Sequence, residues 1–248
     1  MMDVACREQA DTSCRWEMRG NQCVVWGDTS CKYFSARVTL EEYSNPSTDD
    51  IRFIKYIYEA NFPANEKAPF DKLTQIMTTP PNKILLARES HTNDIIGVMW
   101  LQQLGNSCYM YMPYFAVDRI FQSKGVGTMM LQFARDLLTA SGVEGLVWEI
   151  DAPDGISYSK SMRRLAFYEG CGARVLDYSH HYEAPSMTNP RKGIPMWLMM
   201  LPMKGMPFTN DLRTACNCAN AILTHFFGYN NRRHRDRVLH QMMLYTRV

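Results

Sequence analysis

Asp118-Arg-Ile-Phe-Gln122-Ser123-Lys124-Gly125-Val126-Gly127-Thr128 is the stretch on which the reading of this chain turns. It follows an apolar run, Tyr109 to Val117, that reads as a strand interrupted by Pro113. It opens a segment in which Val126, Met130, Phe133 and Leu137 recur at helical spacing. A strand, a glycine-bearing loop and a helix start together make an anion site. The first N–H groups of a helix have no intrahelical acceptor, and the helix dipole adds positive potential there. Glycine at 125 and 127 allows close backbone approach and Lys124 brings a charge nearby, so the stretch predicts a phosphate-bearing ligand. Two other phosphate-loop signatures are excluded. No G-x-x-x-x-G-K-[ST] is present, and Met130 stands where G-x-G-x-x-G needs its third glycine.

Working outward, alternation from Phe34 to Leu40 suggests a first strand. Turn material at 45–50 leads into a helix with Ile51, Ile54, Tyr58 and Phe62 on one face, ended by Pro63. A second helix is expected over Phe70 to Met77. Strands at Ile84–Arg88 and Ile95–Gln102 flank a hairpin turn, His91-Thr-Asn-Asp94. After the loop comes a helix over 125–140, a strand at Leu146–Ile150, a helix from Lys160 to Glu169, and strands at Ala173–Tyr178 and Pro195–Leu201. Leu212 to Phe226 and Val238 to Met243 read as a helical hairpin. This mixed alternation predicts an α/β layered domain around a central sheet. Residues 1–33 read as an extension without clear periodicity, 34–205 as the main domain and 206–248 as a helical appendage.

The six residues Gln122-x-x-Gly125-x-Gly127 resemble the pyrophosphate loop of the GNAT N-acyltransferase superfamily. Downstream, Arg163-Arg-Leu-Ala-Phe-Tyr168-Glu-Gly-Cys-Gly172-Ala resembles the helix that closes that family's cofactor site. The two motifs lie in the family's order, with 46 residues from Gln122 to Tyr168. The resemblance covers about two-thirds of the chain and leaves out 1–33 and 206–248. Phe62-Pro-Ala-Asn-Glu66, Tyr182-Glu-Ala-Pro185 and Ile194-Pro-Met-Trp-Leu198 also resemble a bacterial subgroup. The sequence departs from the family at Ser161, where many members have asparagine, and at Ala173, where the helix exit has phenylalanine.

The resemblance implies a GNAT fold, a mixed and mostly antiparallel twisted sheet flanked by helices. It implies acetyl-CoA, or another acyl-CoA, as co-substrate and no metal. The acceptor would be a primary amine of a small molecule or amino-acid-like compound, attacking the thioester directly in a ternary complex. Phe115, Ala116 and Val117, with Gln122, Ser123, Lys124, Gly125, Val126, Gly127 and Thr128, would hold the acyl-CoA, joined by Ser161 and Tyr168. One backbone N–H of the 115–117 strand would polarise the acyl carbonyl. Tyr168 would protonate the departing thiolate; the competing reading is an aromatic packed on its helix face.

The amine needs a base. Glu149 is one candidate, because a carboxylate within Val147-Trp-Glu-Ile150 is costly to bury without a partner. Alternation sets it opposite Trp148; the alternative is a salt bridge. Glu66, in a loop after the first helix, is the second, against the reading of an exposed loop acid. His180 and His181 read as a surface pair. Cys171 reads as packing, not as an acyl carrier. Met196, Met199, Met200 and Met203 read as core and pocket lining.

Composition sets outer bounds. The 248 residues carry net charge +2, are 46% apolar and 21% charged, and fit an ordinary globular protein. The tail from Tyr229 carries +4, with five arginines against Asp236. It reads as a solvated helix face, with docking to nucleic acid or a protein acceptor the alternative. No apolar leader is seen in Met1–Lys32, and the reading is cytoplasmic with reduced thiols. Cys6, Cys14, Cys23 and Cys31 lack zinc-knuckle spacing. No membrane association is expected, and a homodimer is compatible because dimers are common in the superfamily. A longer acyl donor, a carrier-protein donor and a CoA-binding module without chemistry remain open.

Overall fold

Ser47 begins the ordered packing around the first helix. Its hydroxyl accepts from the Asp50 N–H at 3.1 Å while the Asp50 carboxylate accepts from the Ser47 N–H, a reciprocal cap at the start of α1 (Thr48–Asn61). Pro63 stands just beyond its end. The computed structural model describes residues 15–19, 22–26, 38–43, 47–153, 158–189, 192–228 and 232–244. The other elements in chain order are β1 (Arg15–Arg19), β2 (Gln22–Trp26), β3 (Val38–Glu42), α2 (Phe70–Thr78), β4 (Lys83–Glu89), β5 (Ile95–Gln103), β6 (Tyr109–Tyr111) and β7 (Phe115–Val117). They continue with α3 (Val126–Ala140), β8 (Gly145–Asp151), α4 (Tyr158–Gly170), β9 (Arg174–Val175), β10 (Glu183–Pro185), β11 (Gly193–Pro202), α5 (Leu212–His225) and α6 (Arg232–Leu244).

The strands form one sheet in the order β1-β2-β3-β4-β5-β6-β8-β11-β10, with β7 added on β5 and β9 on β11. Every pairing is antiparallel except β6 with β8. Helices cover both faces. α1, α2, α5 and α6 pack on one face through Ile54, Ile57, Leu73, Cys218, Ile222, Leu223 and Val238. On the other, Met130, Phe133, Leu138 and Leu165 of α3 and α4 pack against Leu85, Met99, Leu146 and Trp148. Central strands buried on both sides read as unbroken apolar runs, which is why Leu146–Trp148 shows no alternation.

Several expectations are corrected. The Tyr109–Val117 strand is two strands. Ala173–Tyr178 yields only the two-residue β9, followed by a 3₁₀ turn at Asp177–Ser179 whose Ser179 hydroxyl is held by the Leu176 carbonyl. β10 was not expected, and β1 and β2 pair within a segment read as unpatterned. The expected strand start at Phe34 and the cysteines Cys6, Cys14 and Cys31 lie outside the described residues; Cys23 falls in β2. The α5–α6 pair shares the α1 core, because Ala215, Ala219, Phe226 and Met242 are buried with Trp100 and Tyr111. Lys72 of α2 donates to the Phe226 carbonyl at the end of α5, and its charge sits 4.9 Å from the Phe226 ring. Among the described residues no helix is long and apolar enough to cross a membrane.

Candidate active site

The sheet opens at Pro113. β6 runs parallel to β8, with Tyr109 opposite Gly145 and Tyr111 opposite Val147, and the Met112 N–H reaches the Val147 carbonyl at 2.9 Å. Pro113 has no N–H to continue that ladder. Beyond it, among the described residues, β7 pairs only with β5, while the rest of β8 pairs only with β11. A gap therefore lies between β7 and the Trp148–Asp151 half of β8. In an antiparallel ladder, successive residues direct their peptide groups to opposite sides. Trp100 N–H to Tyr114 O and Asp118 N–H to Ile96 O, both near 2.9 Å, fix which residues face β5. Tyr114, Ala116 and Asp118 do; Phe115 and Val117 present their N–H groups to the gap. Ala116, named as cofactor-binding from the sequence, therefore has its peptide groups committed to the Val98 pairing.

The loop after β7 closes the gap's open end. The Asp118 carboxylate caps a 3₁₀ turn at Arg119–Phe121 by accepting from the Ile120 N–H at 2.9 Å. Ser123 and Gly125 both have left-handed backbones, φ 58° and 84°. Gly125 starts α3 and puts no side-chain cap on the Val126, Gly127 and Thr128 N–H groups. The two glycines do different jobs. A Cβ at Gly125 would meet nothing within 4 Å, so its requirement is conformational. A Cβ at Gly127 would sit 3.1 Å from the Phe167 ring, so that glycine lets α4 pack on the first turn of α3. The Gln122 side chain folds back over the loop, its amide donating to the Val117 carbonyl at 2.9 Å and to Asn61 at 3.4 Å. It braces the loop against β7 and α1. Lys124 is exposed, its ammonium 5.4 Å from the Phe121 ring.

On the α1 face of the gap, carboxylates and phenols converge. Glu149, on the face opposite Trp148 as alternation predicts, accepts from the Tyr182 hydroxyl at 2.5 Å and from the Tyr111 hydroxyl on its other oxygen. Burial pushes its carboxyl up, and the two phenols oppose that. Glu66 lies in the α1–α2 loop, which Tyr114 holds from below: its hydroxyl donates to the Glu66 carbonyl and accepts from the Ala68 N–H, both at 2.8 Å. Burial, reinforced by Asp151 and Glu149 and opposed by Arg164 and Lys160, raises the Glu66 carboxyl to about 7. Asp151 pairs with Arg164 of α4 at 2.7 Å. The loop is tied across the site by the Met187 N–H on the Asn65 carbonyl at 2.7 Å. Glu66, Glu149, Asp151 and Arg164 thus share one electrostatic neighbourhood.

The opposite wall carries Tyr168, 7% exposed, its ring 4.8 Å from that of Trp148. Burial, with Arg164 opposing, pushes its hydroxyl up to about 12. Ser161 and Leu165 are buried on the same helix, at the spacing that shares a face with Tyr168. The Ser161 hydroxyl is 1% exposed and has no protein partner among the described residues. An orphaned donor there, uncapped helix N–H groups at α3 and the outward N–H groups of Phe115 and Val117 fit a ligand combining a pyrophosphate with amide groups. His180 is exposed and stacks edge-on against Trp197; the four methionines are buried on both sheet faces. Cys171 is half-buried, 4.0 Å from the Thr128 hydroxyl. Sequence reasoning missed Tyr111, Tyr114, Tyr182, Asp151 and Arg164. Only Asp151 carried a signal, being two residues beyond Glu149 on one strand face.

The family model described as Acetyltransferase (GNAT) family matches residues 51–173, which contain the gap, the loop and α4. No curated protein matches the sequence. Among solved structures, a GNAT-family protein from Bacteroides thetaiotaomicron superposes with a TM-score of 0.58 at 18% identity, over 76% of this chain and 98% of its own. An aminoglycoside 6'-N-acetyltransferase complexed with coenzyme A gives 0.51 at 13%, over 68% and 99%. The NatC complex bound to Gag peptide and CoA gives 0.52 at 15%, over 67% and 99%. Such identities speak to the fold alone. By the family match, with a fold that these structures share, this chain belongs to the GNAT acetyltransferase family.

Proposed function

We propose that this protein transfers an acetyl group from acetyl-CoA to a primary amine of a small molecule. The observation that carries the reading is the sheet gap at Pro113, with the uncapped start of α3 at one end and Glu66 and Glu149 on one side. The pyrophosphate would lie on the Val126–Thr128 N–H groups, and the pantetheine amides along Phe115 and Val117 with Ser161 opposite. The Val117 or Phe115 N–H would polarise the thioester carbonyl, since a preorganised donor acts where oxygen charge develops.

Glu66 is assigned as the base. Its carboxyl is raised to about 7, close to the value at which a base both ionises and accepts a proton at neutral pH. The amine nitrogen bonds to the acetyl carbon and the carbon–sulfur bond breaks. The amine proton goes to Glu66, and Tyr168 donates to the thiolate. Glu149, fixed by two phenols, is better suited to holding the acceptor than to exchanging protons. Titration calorimetry with acetyl-CoA, followed by a thiol-release assay over a panel of amines, tests the reading. Absence of acetyl-CoA binding sinks it.

A further inference from the structure

Resting on the acetyltransferase reading, we infer that the acceptor is a dicationic or polycationic amine whose second ammonium group is held by Glu149 between Tyr111 and Tyr182. Three observations lead there. First, a carboxylate taken out of water is normally compensated by a cation. Glu149 accepts from two phenols, which orient it but bring no positive charge, and among the described residues no cation lies within ion-pair distance of it. Second, the Arg164 guanidinium is taken up by Asp151. Asp151 and Glu149 act on Glu66 against Arg164 and Lys160, and one of those two cations is already paired. A monoamine that gives its proton to Glu66 leaves the Glu149 charge unanswered; a second ammonium answers it.

Third, the walls suit an organic cation. Tyr111 and Tyr182 are buried, and Tyr114 stands between the Glu66 loop and β7. The phenols meet Glu149 through their hydroxyls, which fixes both carboxylate oxygens for a charged donor such as an ammonium. The chemistry disfavours an acceptor whose far end is anionic, because Glu149 would repel it.

The experiment compares butane-1,4-diamine, 4-aminobutan-1-ol and 4-aminobutanoate, which match in length and differ in far-end charge. Acetylation is read as kcat/KM, and the same three compounds are titrated into the full chain saturated with CoA. The expected result is a preference of about tenfold or more for the diamine over the alcohol, the lower end of what a charge-assisted hydrogen bond contributes. The anion should be weakest. Glu149→Gln keeps the shape, its oxygen accepting from one phenol and its NH2 donating to the other, and should bring the diamine-to-alcohol ratio within about twofold. Equal or undetectable affinity for all three overturns the inference while acetyl-CoA binding, measured in parallel, leaves the acetyltransferase reading standing. Loss of acetyl-CoA binding overturns both. The wild-type comparison stands even if Glu149→Gln fails to fold.

Discussion

The Tyr114 hydroxyl donates to the Glu66 carbonyl and accepts from the Ala68 N–H, spanning the loop that carries the proposed base. Tyr114 is itself the residue before β7, and its carbonyl accepts from the Trp100 N–H. One side chain therefore registers the base loop on the strand that would hold the thioester. Tyr58 adds a second tie, its hydroxyl donating to the Ala68 carbonyl at 2.9 Å.

Tyr114→Phe removes that register and leaves two buried backbone groups unpaired. A stability loss of about 1–3 kcal/mol is expected from the unpaired groups. A plain packing residue would lower stability alone. Here kcat should also fall, and the acid limb of the pH profile should move as Glu66 gains access to water. Thermal unfolding and pH-dependent kcat/KM separate the two; an unmoved acid limb would reduce Tyr114 to packing.

Glu66 sets the sign of the pH response. A base must be ionised to act, so kcat/KM should rise as pH passes upward through about 7. Glu66→Gln should remove this limb and cost about 10²–10⁴ in rate. Stability runs the other way. The folded-state carboxyl is raised, so the stability it contributes is complete below about 4.5 and is lost as pH rises through about 7. Glu66→Gln should therefore melt higher than wild type at pH 8 and no higher near pH 4.

Much of the fold was legible because its determinants are local. The Ser47 cap, Pro63, the Asn93 turn and the apolar stripe of α3 each act within a few residues. The loop Gln122–Thr128 was legible for the same reason. The rest depended on pairing between distant strands. Pro113 signalled an irregularity, but that the sheet parts there depends on β8, some thirty residues on. Tyr111 and Tyr182 meet on Glu149 from two further elements, 38 and 33 residues away in sequence. No periodicity in one segment encodes such a meeting. The brace made by Gln122 was hidden differently: the residue stands in the loop motif, but its amide is held by the Val117 carbonyl.

Gly125 and Gly127 should separate ligand binding from packing. At Gly125, φ 84° costs alanine about 1–2 kcal/mol, with open space for the methyl group. Relief of that strain would tilt the N–H groups at the start of α3, so Gly125→Ala should weaken acetyl-CoA binding by more than it lowers the melting temperature. Gly127→Ala presses on Phe167 and should chiefly destabilise the α3–α4 contact. Calorimetry and thermal unfolding on both variants check the ordering. Reversed behaviour would assign the loop a structural role only.

Asp50 supplies a test of the scaffold away from the chemistry. It accepts from Arg88 at 3.0 Å, from the Ser47 hydroxyl at 2.8 Å and from Tyr43, and Arg88 also bonds Glu41 at 2.6 Å. This ties the start of α1 to β3 and β4. Burial pushes the Asp50 carboxyl up, yet the bonds from Arg88, Tyr43 and Ser47 outweigh it and bring it to about 2. A depressed acid contributes stability above its unfolded value and loses it as pH falls through its folded value. The contribution, about 2 kcal/mol at neutral pH, should be lost between about pH 4 and 2. Asp50→Asn should destabilise the protein at pH 7 and flatten this acid-dependent loss. Because Asp50 lies at the opposite end of α1 from Asn61 and the loop brace, acetyl-CoA binding by the folded variant should persist. A variant that melts like wild type at pH 7 would show that the cluster does not anchor α1.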